Sequence, residues 1–119
     1  MNEVIVRESW ASFLEAVTAA RAGEPVTLEL LDPELGDQHE ADHLPLYSVG
    51  YDRGDDAVIV ELGTAGRPEV VALRHIIRSP RSVAATPPVP DAAEAIRIEN
   101  ADGVTLVQLE RAAPPELPA

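Results

Sequence analysis

The segment with the clearest chemical meaning in this sequence is His39-Glu40-Ala41-Asp42-His43. It matches the H-E-x-x-H pattern, in which two imidazoles bind zinc and the glutamate acts as a general base. That chemistry requires both imidazoles on one face of a helix, where side chains four residues apart are neighbours. On an extended backbone the pair would be ~13 Å apart and could not share one ion. The segment therefore predicts a zinc-dependent hydrolase only if residues 39–43 form a helix.

Such a helix must fit between Gly36 and Pro45, and helices that short depend on an apolar face packed against the fold. A catalytic zinc also needs a third ligand, and the only other histidine, His75, is far away in a predicted strand. We therefore expect a solvent-exposed acidic loop, or a single helical turn, with no metal and no cofactor. A weak surface metal site at His39 and His43 and a metalloprotease are the alternatives.

The charged residues are distributed unevenly along the chain. Residues 29–56 hold nine acids and one arginine, whereas residues 70–90 hold Arg74, Arg78 and Arg81, one histidine and no acid. This asymmetry suggests an oriented contact in which the basic strand of one molecule meets the acidic connection of another. Alternatively, these arginines pair with acids of the same domain. Arg74 and Arg78 share a strand face ~13 Å apart, too far to grip one phosphate.

His75 shares a predicted strand face with Leu73 and Ile77, which are apolar. This environment is typical of a core histidine with a satisfied hydrogen bond. The functional alternative is a pH-sensitive or acid–base group in a small cavity. Tyr47 and Tyr51 share a predicted face with Val49, and we interpret them as packing or partner-contact residues.

One helix is predicted from Ser9 to Ala22, because its apolar residues follow the i, i+3, i+4, i+7 spacing of a single stripe. Gly23 and Pro25 then provide a helix end. The stripe consists of Trp10, Phe13, Leu14 and Val17.

Short runs with a period of two predict strands in the rest of the chain, and residues 32–43 read as a polar connection. The predicted strands are Val26–Leu31, Leu44–Tyr51, Ala57–Leu62, Glu69–Arg78, an edge strand Ser82–Ala85, Ala95–Glu99 and Val104–Glu110. Because the links have hairpin lengths, neighbouring strands should be antiparallel. We expect an α+β fold: an N-terminal helix packed on a curled antiparallel meander of six or seven short strands, resembling a half-open barrel. Residues 1–111 would form one domain and residues 112–119 a disordered, proline-rich tail.

Composition limits the classes of protein that remain. The chain has 119 residues, a formal charge of −12 and no cysteine, which excludes disulfide scaffolds, Cys-based metal sites and thiol nucleophiles. Such acidity argues against nucleic acid as a partner. No apolar run approaches the ~20 residues of a membrane span, so we expect a cytoplasmic protein without a membrane partner.

Several short motifs, taken in order, resemble domain-of-unknown-function family 5335, a set of small bacterial domains. They are Trp10-x-x-Phe13-Leu14, Val26-Thr27-Leu28-Glu29, Gly36-x-Gln38-x-Glu40-Ala41, Leu44-Pro45-Leu46, His75-x-Ile77-x-x-Pro80-x-x-Val83 and Ile98-Glu99-x-Ala101-Asp102-Gly103. The resemblance runs from about Trp10 to Leu109. It implies a small single-domain bacterial protein with no assigned activity and no catalytic residues to carry over. The family pattern does not include histidine at positions 39 and 43.

Together these features predict a non-catalytic module for protein interaction or self-association, with a protein partner that includes a second copy of itself. Its candidate contact residues are Arg74, His75, Arg78, Arg81, Tyr47 and Tyr51. The alternative is a protein that binds a small ligand, or acts as an enzyme, in a cavity of the curled sheet with His75 and one arginine. A zinc hydrolase at His39 and His43 is the remote alternative.

Overall fold

The computed structural model describes residues 3–110, which form one α-helix and eight β-strands. The helix α1 spans Trp10–Arg21 and follows a 3-10 turn at Arg7–Ser9. The strands are β1 Glu3–Ile5, β2 Pro25–Asp32, β3 Gly36–Asp52, β4 Ala57–Thr64, β5 Arg67–Arg78, β6 Ser82–Thr86, β7 Ala95–Asn100 and β8 Gly103–Leu109. The α+β class is confirmed, with more strands than the six or seven predicted. Residues 112–119, predicted to be a disordered tail, lie outside the described residues.

All eight strands belong to one antiparallel sheet in the order β1-β6-β7-β8-β2-β3-β4-β5. Two meanders, β2–β5 and β6–β8, are joined because β8 pairs with β2. The sheet is not closed, and its edges are β1 and β5. The prediction of a single meander was therefore wrong in its long-range pairing. Ser82–Thr86 is an inner strand between β1 and β7 rather than an edge.

The long strand β3 connects the two halves of the sheet. Its first half pairs with β2, and its second half pairs with β4. Two irregularities interrupt the first pairing, between Val26 and Leu28 and between Leu28 and Glu29. The polar connection predicted for residues 32–43 is therefore mostly strand, because β3 begins at Gly36.

The core lies between the helix and the concave side of the sheet. Four helix residues with the predicted stripe spacing are buried in it: Trp10, Phe13, Leu14 and Val17. They pack with aliphatic side chains from both halves of the sheet, such as Leu28, Leu62, Ile96 and Val107. Burying this apolar surface is the main favourable contribution to folding.

Backbone contacts fix the helix against β3. The Gly23 amide donates to the Leu46 carbonyl at 2.8 Å, and the Leu46 amide donates to the Glu24 carbonyl at 2.9 Å. The Thr18 hydroxyl accepts from the Val49 amide at 2.9 Å and lies 2.8 Å from the Val49 carbonyl. The helix and its C-terminal turn therefore supply hydrogen-bond partners for the part of β3 that extends beyond its pairing with β2.

Candidate functional site

The outer face of the edge strand β5 carries the predicted basic residues. Arg74, Ile76 and Arg78 alternate with the inward-facing Leu73, His75 and Ile77, and all three are exposed. Among the described residues no strand lies beyond β5. We call Arg74, Ile76 and Arg78 the β5 face. Arg81 follows it and is also exposed.

The arginines of the β5 face are not neutralised by acids among the described residues. In residues 3–110, neither Arg74, Arg78 nor Arg81 forms an ion pair. Glu61 lies opposite Arg74 on β4, but its carboxylate accepts a hydrogen bond from the Ser48 hydroxyl at 3.2 Å. The intramolecular pairing considered as an alternative for these arginines is thus not formed in the described part of the chain.

The turn between β2 and β3 presents the opposite charge. Asp32 organises it, since its Oδ1 accepts from the amides of Glu34 at 2.7 Å and Leu35 at 3.0 Å. Glu34, Leu35 and Asp37 are exposed, and no ion pair within residues 3–110 involves either acid. We call residues 32–37 the acidic tip.

His39 and His43 are held apart by the strand in which they lie. The predicted acidic loop or single helical turn was wrong, because residues 39–43 belong to β3, and the helix that the zinc hypothesis requires is not formed. His39 Nε2 lies 3.4 Å from a Glu29 carboxylate oxygen, and His43 Nδ1 lies 2.9 Å from one of Glu110. Within the described chain, no group of three His, Cys, Asp or Glu residues is arranged to hold a metal ion.

His75 lies in a cleft of about 150 Å³ where β5 faces the ends of β2 and β8. Its Nε2 is 3.4 Å from the hydroxyl of Thr105, a residue only 5% exposed. Burial lowers the pKa of His75 below its usual value, and the negative charge of Glu40 opposes part of that shift.

The other polar residues that line the cleft are Asp32, Gln38, Asn100 and Asp102. Among residues 3–110 no arginine lines it, so the predicted combination of His75 with one arginine was wrong. A neutral imidazole beside a hydroxyl can exchange hydrogen bonds with a small polar molecule.

The two tyrosines do not act together. A register shift between Leu46 and Ser48 puts Tyr47 on the solvent side, 43% exposed, whereas Val49 is buried. The predicted common face of Tyr47, Val49 and Tyr51 was therefore wrong at Tyr47. The bulge responsible has no signature in the residue pattern.

Tyr51 belongs to a structural cluster at the start of the helix. Its ring meets Trp10 edge to face at 5.2 Å, and its hydroxyl donates to Asp56 at 2.5 Å. This hydrogen bond to a carboxylate is the main reason why the pKa of Tyr51 is raised. The Arg7 guanidinium lies 4.2 Å from the centre of the Trp10 ring and donates to the Pro80 carbonyl at 3.1 Å.

Sequence reasoning missed Arg7 and Thr105. Arg7 follows an apolar run with no repeating pattern, so nothing in the sequence points to it. Thr105 did leave a signal, because it occupies an inward position of a strand whose next inward residues are Val107 and Leu109. A lone polar residue in such an alternation indicates a polar contact inside the fold.

Comparison with known proteins gives a family but no activity. The family whose model matches residues 1–118 is described as a family of unknown function, DUF5335. An uncharacterized protein of Aquifex aeolicus (strain VF5) is 30% identical over 60 residues, which are 50% of this chain and 54% of the relative. The chain thus spans about half the length of this relative. No solved structure gives a significant match. Within residues 3–110, every helix is too short or too polar to cross a bilayer.

Proposed function

Because the chain belongs to the DUF5335 family, we propose its function from its own surface: it is a non-catalytic protein-interaction module that binds its partner through the β5 face. The observation that carries this proposal is the combination, on one edge strand, of an exposed isoleucine with two arginines that form no ion pair within residues 3–110. The absence of cysteine from the sequence fits a reducing compartment, and we place the protein in the cytoplasm.

The composition of the β5 face is that of a protein interface. Arginine is enriched at such surfaces, where its long apolar stem packs while its guanidinium binds carboxylates. Ile76 lies between the two arginines along β5 and is 37% exposed, so it offers apolar surface between two charged residues. The positive charge of the β5 face favours an acidic protein surface as the partner, even though the molecule as a whole is acidic.

A photo-crosslinking amino acid at position 76 tests the proposal in cells. We expect covalent adducts with a protein from position 76 and none from position 89, which is exposed in the β6–β7 connection. Arg78→Glu should abolish the adducts, whereas Arg53→Glu, which makes the same charge change in the β3–β4 turn, should leave them. Equal adducts from both positions, or adducts unaffected by Arg78→Glu, would contradict the β5 face as the binding site.

A second candidate function, binding of a small polar molecule, is favoured by the cleft at His75. Polar side chains at inward positions such as His75 and Thr105 cost stability unless hydrogen bonds satisfy them. A volume of about 150 Å³ corresponds to a molecule of a few heavy atoms, well below the size of most ligand sites.

Amide spectra recorded with small amines, polyols and carboxylic acids test this second candidate. A ligand of the cleft should shift the amides of Gly103 and Thr105 in the wild type and not in His75→Phe. If no compound shifts these amides, the cleft is not a ligand site for this class of molecule.

A further inference from the structure

We infer that the protein forms a two-fold dimer in which the acidic tip of each copy binds the β5 face of the other. This inference rests on the proposed function, since it uses the same binding face and specifies a second copy as the occupant. The contact would be reciprocal, so the same two patches are used twice.

The two patches carry opposite charges, and each has an exposed apolar residue between its charged residues. On the acidic tip, Leu35 is 70% exposed and lies between Glu34 and Asp37. On the β5 face, the exposed Ile76 lies between Arg74 and Arg78. Docking one patch on the other places leucine against isoleucine and carboxylates near guanidinium groups.

None of these charges is paired within the part of the chain that the structure describes. The two arginines and the two acids form no ion pair within residues 3–110. A contact between copies would therefore form new ion pairs without breaking existing ones. Such pairs mainly determine orientation and association rate, while the apolar contact at the centre contributes affinity.

The position of the patches favours a closed dimer over a chain of molecules. Asp32 of the acidic tip and Ile76 of the β5 face line the same cleft, so the two patches adjoin on one molecule. A two-fold axis beside that cleft brings each tip onto the partner's β5 face. Patches on opposite sides of the molecule would instead join copies head to tail, in a ring or an open filament.

Pairing of two β5 edges is the less favourable way to join two copies. A two-fold pairing centred between residues 74 and 78 places arginine opposite or diagonal to arginine, which is repulsive. The Asn100 side chain also donates to the Arg78 carbonyl at 3.0 Å and so covers the end of that edge. Docking of the acidic tip avoids both problems.

Charge exchange between two variants tests the inference. We expect concentration-dependent dimers of the wild type in analytical ultracentrifugation, weakened by salt. The double variants Arg74→Glu/Arg78→Glu and Glu34→Lys/Asp37→Lys should each lose roughly tenfold or more in dimer affinity, because like charges then face each other. Mixed in equal amounts, the two variants should form a 1:1 heterodimer, since both contacts again join opposite charges.

A wild type that stays monomeric at high concentration, or a mixture that fails to restore the dimer, would overturn the inference. If a double variant does not fold, a photo-crosslinker at Leu35 of the otherwise unchanged protein supplies the test. Mixed with isotope-labelled protein, it should capture the peptide containing residues 74–78 of another copy, and capture of any other peptide would contradict the docking. Adducts from position 76 to a different protein, with no dimer, would defeat this inference while leaving the proposed function intact.

Discussion

At the scale of single residues, the inward-facing His75 links the stability of the protein to pH. His75 is half-buried and neutral beside Thr105, because burial disfavours the imidazolium form and lowers the pKa. Glu40 from β3 provides the opposing negative charge. A group of this kind couples protonation to folding.

Acidification should therefore destabilise the protein through His75. The unfolded chain takes up this proton near the ordinary pKa of 6.5, whereas the folded protein does so only at lower pH. The unfolded state then binds more protons, so the free energy of unfolding falls as the pH drops below about 6.5. We expect denaturant midpoints measured between pH 7.5 and 5.5 to fall more steeply for the wild type than for His75→Gln. Parallel pH profiles for the two proteins would refute this role.

The buried Arg21 fixes the connection between β6 and β7. It is 3% exposed, forms an ion pair with Glu24, and donates to the Ala93 carbonyl at 2.8 Å. Arg21→Met keeps the length of the side chain but leaves these acceptors unpaired, so we expect a loss of about 2–3 kcal/mol in unfolding free energy. Arg97→Met is the matched control, because the ion pair of Arg97 with Glu99 is partly exposed and should change stability by less than about 1 kcal/mol. Equal losses in chemical denaturation would show that burial does not matter here.

Residue types alone could identify which side chains were candidates but not how they are arranged. The basic residues of β5 were found because charge is visible in the sequence. The H-E-x-x-H segment could not be assigned a conformation, because the spacing tells nothing about whether the backbone is helical. His75 was placed on the correct inward face, while its hydrogen-bond partner Thr105 comes from a strand far along the chain.

At the scale of elements, the Thr18 side chain contributes to the seam between α1 and β3, alongside the backbone hydrogen bonds of Gly23 and Glu24 with Leu46. The Thr18 hydroxyl satisfies the amide and lies at the carbonyl of Val49, groups that lie beyond the end of β2, which begins at Pro25 opposite Pro45. An unpaired buried backbone group costs about 1–3 kcal/mol. This seam therefore connects helix stability with the integrity of the sheet.

Thr18→Val should destabilise the protein by about 1–3 kcal/mol, because it preserves the side-chain shape and removes the hydroxyl. Thr18→Ser retains the hydroxyl and should cost much less. Hydrogen exchange provides the specific readout, since the Val49 amide should lose protection in Thr18→Val. Unchanged protection there would mean that the hydroxyl does not hold the seam.

The β7–β8 turn requires glycine at position 103. Its φ is +141°, and a Cβ atom there would lie 2.3 Å from the Leu31 carbonyl oxygen. Gly103→Ala should therefore cost about 2 kcal/mol or more in thermal or chemical unfolding. In β3, a Cβ at Gly50 would meet nothing within 4 Å, so Gly50→Ala is the control and should be tolerated. Equal stability of the two variants would contradict the close approach of β2 to this turn.

The elements that sequence reasoning located well are those with an unbroken period. The helix stripe and most strands alternate cleanly, so their positions are confirmed to within a few residues. The first half of β3 was not predicted as a strand, because only Ala41 among residues 36–43 is buried and two register shifts interrupt its pairing with β2. A strand that is exposed on both faces leaves no alternation to detect.

At the scale of the whole molecule, family membership and the α+β class could be predicted, whereas the strand order could not. The predicted resemblance to family 5335 is confirmed. The pairings of β8 with β2 and of β1 with β6 join segments that are distant in sequence, and neither turn composition nor strand periodicity records them. Patterns of neighbouring residues therefore predict the hairpins but not the pairing of β8 with β2 that joins the two meanders.

The net charge of −12 should make stability depend on ionic strength. At 0.01 M salt the screening length of about 30 Å matches the molecule's short dimensions of 28 and 29 Å, so acids repel one another across the whole fold. We expect the thermal midpoint of dilute, monomeric protein to rise by a few degrees when salt is added. Glu34→Gln/Asp37→Gln should raise the midpoint at low salt and reduce the response. A midpoint that is independent of salt would show that the acids of residues 29–56 do not repel appreciably.

The position of β8 in the sheet also has a consequence for folding of the nascent chain during translation. β2 is synthesised among the first strands, yet the neighbour that bonds its second edge is the last described strand to leave the ribosome. Until then the nascent chain can fold β2–β5 only with a bare backbone edge, a state that recruits chaperones or aggregates. Completion of this fold is therefore a late event in synthesis, governed by when residues 103–109 emerge from the exit tunnel.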